Sequence, residues 1–190
     1  MAAAAILKPN VRHSLLQDSK LLTPQERDIA YRWLLKNATF GVGITHHRLI
    51  DSLNIYYATL VAMNRAVMQL LSICKREPSI ILVDAMPLAF EVHSIPVVHF
   101  IYGERQSKSI AAASIIAKVT RDALMSRMDA LTPGYDYTNN KGYGTRAHKE
   151  GIQKAGITVL HRLNFVTHIT SGDTQLPLLV LPTSSQEETV

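Results

Sequence analysis

One stretch, residues 79–122, constrains this chain more than any other. It opens on Ser-Ile-Ile-Leu-Val-Asp, an apolar run after Pro78 that closes on the carboxylate of Asp84. The pattern predicts a fully buried strand with a functional group at its C-terminal end. A second apolar run, Ile-Pro-Val-Val-His-Phe-Ile-Tyr from Ile95 to Tyr102, ends in the same way on Gly103 and Glu104. If the two strands are neighbours, two carboxylates meet at one end of a sheet. The following segment, rich in alanine and serine from Ser107 to Asp122, reads as a helix able to pack closely behind that end. Two acids, several Ser and Lys groups and a close-packed helix together suggest a metal-and-phosphate site.

The rest of the chain supplies alternating strands and helices. Residues 2–7 read as a short buried strand. Thr23-Pro-Gln-Glu26 forms a capping box with proline at the first helical position, predicting a helix from about Pro24 to Lys36 with Ile29, Trp33 and Leu34 facing the core. Residues 39–45 alternate as a strand. His46 and His47 follow; as an adjacent pair they point in different directions, which argues against a shared metal. Ile50-Asp-Ser-Leu-Asn54 leads into a long helix to about Lys75, with Leu60, Met63, Val67, Leu70, Leu71 and Cys74 on one face. Residues 132–145 are a loop of turn formers and tyrosines, and residues 145–155 a short basic helix stopped by Gly156. This alternation argues an α/β domain with helices covering a mixed sheet.

Charge and cysteine content narrow the function classes. A net charge of +5 favours anionic partners. Cys74 is the only cysteine, which excludes an internal disulfide and a cysteine-based zinc site. No apolar run approaches the roughly 18 residues that span a bilayer, and Met1-Ala-Ala-Ala-Ala-Ile-Leu is too short for a signal peptide, so a cytoplasmic protein is expected.

Phosphodiester hydrolysis by two divalent metals needs carboxylates converging where two ions sit about 3.5–4 Å apart. Asp84 and Glu104 are the candidates, with magnesium or manganese as the cation; the alternative for either acid is to cap a helix or pair with a lysine. Ser19, Lys20, Ser107, Lys108 and Lys141 are of the types that contact nucleic-acid phosphates. Tyr143 lies between two glycines, which leaves its ring accessible for stacking on a sugar or base; the alternative is a tyrosine folded onto the core.

Several of these segments resemble the type 2 ribonucleases H, the ribonuclease HII family. Gly103-Glu-Arg-Gln-Ser-Lys-Ser-Ile-Ala-Ala-Ala-Ser-Ile-Ile-Ala-Lys-Val-Thr-Arg-Asp122 resembles its central signature. Asp18-Ser-Lys-Leu-Leu-Thr resembles its Asp-Ser-Lys-Lys-Leu segment, and Ile50-Asp-Ser-Leu-Asn-Ile its Ile-Asp-Glu-Leu-Asn-Ile. Val83-Asp84 is similar to the strand end bearing the family's third carboxylate. Glu104 falls where the family has an aspartate in Lys-Gly-Asp, and its extra methylene moves the carboxylate outward. Lys141-Gly-Tyr-Gly-Thr, His148 and His161-Arg-Leu-Asn-Phe resemble the C-terminal signatures.

The resemblance implies a ribonuclease H-like core over residues 1–131 and a C-terminal loop and helix extension over 132–168, and the polar composition of the end of the chain reads as a disordered tail over 169–190. The resemblance also implies an endonuclease that cuts the RNA strand of RNA/DNA hybrids and the 5′ side of ribonucleotides embedded in DNA, with Tyr143 at the RNA–DNA junction; separately, a monomer is the simplest expectation. The family opens with a strand carrying Asp-Glu-Ala-Gly-Arg-Gly, its first two catalytic carboxylates, and residues 1–7 resemble the strand after it. On that reading the first strand and two of four metal ligands are missing, activity is impaired, and the alternative is a non-catalytic binder of RNA/DNA hybrids.

Overall fold

A computed structural model describes residues 1–89 and 95–170. Strand β1 (Ala2–Leu7) pairs antiparallel with β2 (Ala38–Gly43), and β3 (Ile81–Asp84) pairs parallel with β4 (Val97–Phe100). Helix α1 (Pro24–Asn37) connects β1 to β2, and α2 (His47–Ile73) connects β2 to β3. After β4 come the short α3 (Gly103–Gln106), the long α4 (Lys108–Leu131), and then α5 (Tyr137–Asn140), α6 (Arg146–Ala155) and α7 (Leu163–Thr170). The α/β class expected from the alternating pattern is what forms. Among the described residues the strands make two separate pairs: β1 and β3 are not bonded to each other, and both line one cavity of about 510 Å³.

That cavity accounts for two departures from expectation. In β3 only Val83 is buried, and in β1 only Ala2, although both runs read as buried strands. Residues of both strands face the open space instead of a neighbour.

The capping box forms as predicted. The Glu26 backbone N–H donates to Thr23 Oγ1, and the Thr23 N–H to Glu26 Oε2 at 2.8 Å. The buried face of α1 is centred on Ala30 and Leu34, one turn apart; Ile29 sits beside that stripe and is exposed, and Trp33 packs at the edge of the core. Leu34 joins Leu16, Leu22, Ala112, Ile115 and Ile116 in one cluster, so the α1 face meets α4. Helix α2 begins at His47, earlier than expected, but breaks at Asn54, whose φ is 69°. The Asn54 Oδ1 accepts the backbone N–H groups of Tyr56 and Tyr57, capping the longer second part. That part buries Ala58, Ala62, Ala66, Val67 and Leu70, and packs Leu60, Met63 and Leu71 in the same cluster as Val83. Cys74 ends the helix half-buried, its Sγ 3.4 Å from the Leu71 carbonyl. The rings of His46 and His47 do not diverge: their centroids are 3.9 Å apart, because His46 caps α2 and turns back over its first turn.

The expected loop over residues 132–145 contains α5 and contributes Tyr135 and Tyr137 to a second core with Ile152 and Val166. The expected tail over 169–190 lies outside the described residues from 171 onward, while Ile169 and Thr170 complete α7.

Candidate active site and nucleic-acid face

Parallel pairing aligns the C-terminal ends of β3 and β4, with Asp84 opposite Phe100. Each strand leaves the sheet through a non-glycine residue in the left-handed region, Ala85 (φ 58°) and Tyr102 (φ 59°). Such positions cost about 1 kcal/mol each and cluster at functional sites. The turn at Tyr102 aims the Gly103 N–H at Asp84 Oδ1, 2.8 Å away. A Cβ at Gly103 would lie 2.6 Å from Ile110 Cδ1 and 3.2 Å from Asp84 Oδ1, so a larger residue there would have to displace both side chains. Asp84 and Glu104 both line the cavity.

Glu104 has an unforeseen neighbour. Its side chain is only 10% exposed. Burial pushes its carboxyl above the usual glutamate range and the facing Asp18 carboxyl adds to the shift, while hydrogen bonding to Ser114 and the charge of Lys20 oppose it. Asp18 is held below the ordinary aspartate range by the Lys20 backbone N–H, at 3.0 Å from its Oδ1, and by Glu104. The Asp18-Ser19-Lys20 turn thus closes over Glu104. No sequence spacing signals this, because the residues come from distant segments.

The other predicted residues divide. Lys20 is 82% exposed with Nζ 4.0 Å from Glu104 Oε2, a weak attraction at that exposure. Tyr143 is 64% exposed, consistent with an accessible ring. Ser19 is buried, its hydroxyl 2.8 Å from that of Ser114. Ser107 caps α4, accepting the Ile110 N–H. Lys108 donates to the Leu16 carbonyl at 2.7 Å, and Lys141 to Ser126 Oγ at 2.8 Å. These four have hydrogen-bond partners within the chain.

Tyr143 is carried by a unit whose core is aromatic and titratable. The rings of Tyr135, Tyr137, His148 and His161 lie within 4.9–6.2 Å of one another, with both histidines buried. The Thr158 N–H donates to His161 Nδ1 at 2.9 Å, which leaves Nε2 as the protonated nitrogen facing the Tyr137 hydroxyl at 3.2 Å. Burial, with help from His148, lowers the His161 pKa from 6.5 to about 4. The folded state therefore favours neutral His161, and its contribution to stability is whole above about pH 6.5 and is lost as pH falls toward 4. The shift corresponds to about 3 kcal/mol. Thermal melts between pH 7 and pH 4 are expected to show this loss in the wild type, and a smaller one in His161→Gln.

Helix α7 is held by a residue far away in the chain. Asp51 accepts the backbone N–H groups of Leu163 (3.0 Å) and Asn164 (3.1 Å), and the Asn164 amide donates to the Asp51 carbonyl. Asp51→Ala is expected to cost about 1 kcal/mol, as loss of a helix cap does, and amide exchange in α7 should accelerate before that of α4.

The described residues have the α/β fold of a type 2 ribonuclease H. The fold matches the crystal structure of the ribonuclease H2 from Pyrococcus horikoshii OT3 with a TM-score of 0.61, covering 82% of this chain and 80% of that one at 20% identity. The chain belongs to the ribonuclease HII family, whose model matches residues 1–168. It is 45% identical over 166 residues to ribonuclease HII of Listeria monocytogenes, and 43% identical to that of Levilactobacillus brevis, with 87% of this chain aligned in each case. The chain spans 61% and 62% of the lengths of these two relatives.

Proposed function

We propose that this chain carries a metal-assisted phosphodiesterase site acting on the RNA strand of RNA/DNA hybrids and on the 5′ side of single ribonucleotides within duplex DNA. The observation that carries the reading is that Asp84, at the end of β3, and Glu104, in α3 just after the parallel neighbour β4, line one cavity. Family membership supplies the substrate class.

Carboxylate oxygens suit a hard cation, and magnesium is commonly held by one or two carboxylates together with substrate phosphate. Asp84 and Glu104 fit that pattern for one magnesium or manganese ion. When bound, the ion would polarise the scissile phosphate and lower the pKa of an attacking water. The Gly103 N–H fixes the Asp84 carboxylate through Oδ1, leaving Oδ2 as the donor. The burial that raises the Glu104 pKa disfavours its charged form, and a cation there would restore it. Lys20, exposed beside Glu104, would meet the incoming phosphate, and Tyr143 the sugar at the RNA–DNA junction.

Among the described residues no three His, Cys, Asp or Glu side chains converge as a metal-holding group. The same observation favours a second reading, a non-catalytic binder of hybrid duplex. Metal dependence separates them: the enzyme cuts a ribonucleotide-containing duplex with magnesium or manganese and stops with a chelator, whereas the binder holds the duplex equally under both conditions and cuts nothing.

A further inference from the structure

Beyond Tyr143, the C-terminal helices carry a second exposed ring. Phe165, in the first turn of α7, is 50% exposed, and the Arg162 guanidinium carbon lies 3.8 Å from its ring centroid. That distance is a close cation–π contact. Arg162 is itself half-buried. Burial lowers its pKa and Arg121 acts in the same direction, while Asp51 and Tyr143 oppose them, so all three groups lie near enough to influence it.

Each part is held by rigid structure. Asp51 pins the backbone of Leu163 and Asn164 just before Phe165. Arg121 reaches from α4 to donate to the Lys141 carbonyl at 3.0 Å, tying down the turn that leads to Tyr143. Two guanidinium groups and two exposed rings are thus fixed on neighbouring elements. An apolar protein partner would have to bury those cations, whereas a polyanion with stackable bases and sugars uses both kinds of group.

We infer that Phe165, with Arg162 stacked on it, is a second stacking platform for a nucleic-acid strand bound beside Tyr143. Phe165 takes the face of a base or sugar, and Arg162 holds a phosphate while fixing the ring. This rests on the reading of the chain as a hybrid-duplex protein.

The test is fluorescence anisotropy with the full chain and a fluorescein-labelled DNA duplex containing one ribonucleotide, in chelator, across a salt series. Phe165→Ala is expected to weaken binding about tenfold without changing the slope of log affinity against log salt, and Phe165→Trp to restore it. Arg162→Gln is expected to weaken binding and flatten that slope by about one unit. A wild type that binds while Phe165→Ala binds equally well overturns the platform alone. A wild type that does not bind the duplex overturns both the platform and the reading beneath it. Because alanine at Phe165 also removes the ring packed on Arg162, the tryptophan variant gives a second readout: emission beyond that of Trp33 should be quenched at saturating duplex, and unchanged emission overturns the stacking.

Discussion

Gly43→Ala is expected to destabilise the protein by roughly 3 kcal/mol, at the upper end of what overpacking a core costs. Strand β2 lies against α2 through Gly41 and Gly43 on one side and Ala62 and Ala66 on the other. A Cβ added to Gly43 would sit 1.8 Å from the Ala62 carbonyl oxygen and 2.7 Å from the Ala66 nitrogen. One added to Gly41 would sit 2.3 Å from the Ala66 carbonyl oxygen. These are backbone atoms of a helix, which cannot swing aside as a side chain can, so α2 must move off the strand. That shift reaches Val67 and Leu70, which line the cavity beside β1. Gly144→Ala is the control: its Cβ would meet only Lys149 Cε at 3.7 Å, and its cost should stay within about 0.5 kcal/mol. Urea unfolding followed by circular dichroism measures both, and equal midpoints for the two variants would contradict this packing.

Asp84→Asn is expected to lower metal-dependent cleavage by about a hundredfold or more, the scale on which removal of one preorganised charge-stabilising group acts. The substitution keeps shape and volume. The asparagine carbonyl oxygen can still accept the Gly103 N–H, so the turn after β4 and the thermal transition should be nearly unchanged. What disappears is one of the two carboxylates proposed as cation ligands, both of which line the cavity. Cleavage equal to wild type in a folded Asp84→Asn protein would remove Asp84 from the site.

Local chemistry made much of this legible in the sequence. The Thr23–Glu26 capping box and the serine and alanine segment of α4 are specified by adjacent residues and form as read, and the apolar run ending on Asp84 forms a strand, though only Val83 in it is buried. Pairing of β3 with β4 followed from two runs that end alike. Long-range side-chain contacts were not legible. Asp18 against Glu104 depends on how a turn before α1 folds over α3, and α7 depends on a cap, Asp51, that lies 112 residues before Leu163. The phosphate chemistry of Ser107 and Lys108 was legible, whereas the cap that Ser107 gives α4 and the bond from Lys108 to the Leu16 carbonyl were not. Residue type alone does not distinguish a structural hydrogen bond from a ligand contact. The exposed Ile29 shows the same limit: helical spacing places it near the buried stripe, and the position of α4 decides which of Ile29 and Ala30 is covered.

The most direct test is to map cleavage of a DNA duplex containing one ribonucleotide by this chain, with magnesium, with manganese and with a chelator. The account predicts slow cutting at the 5′ side of the ribonucleotide, present with either metal and absent with the chelator. Cutting that persists in the chelator, or no cutting by folded protein that still holds the duplex, would contradict a catalytic metal site at Asp84 and Glu104; the second outcome would leave the chain a binder of hybrid duplex.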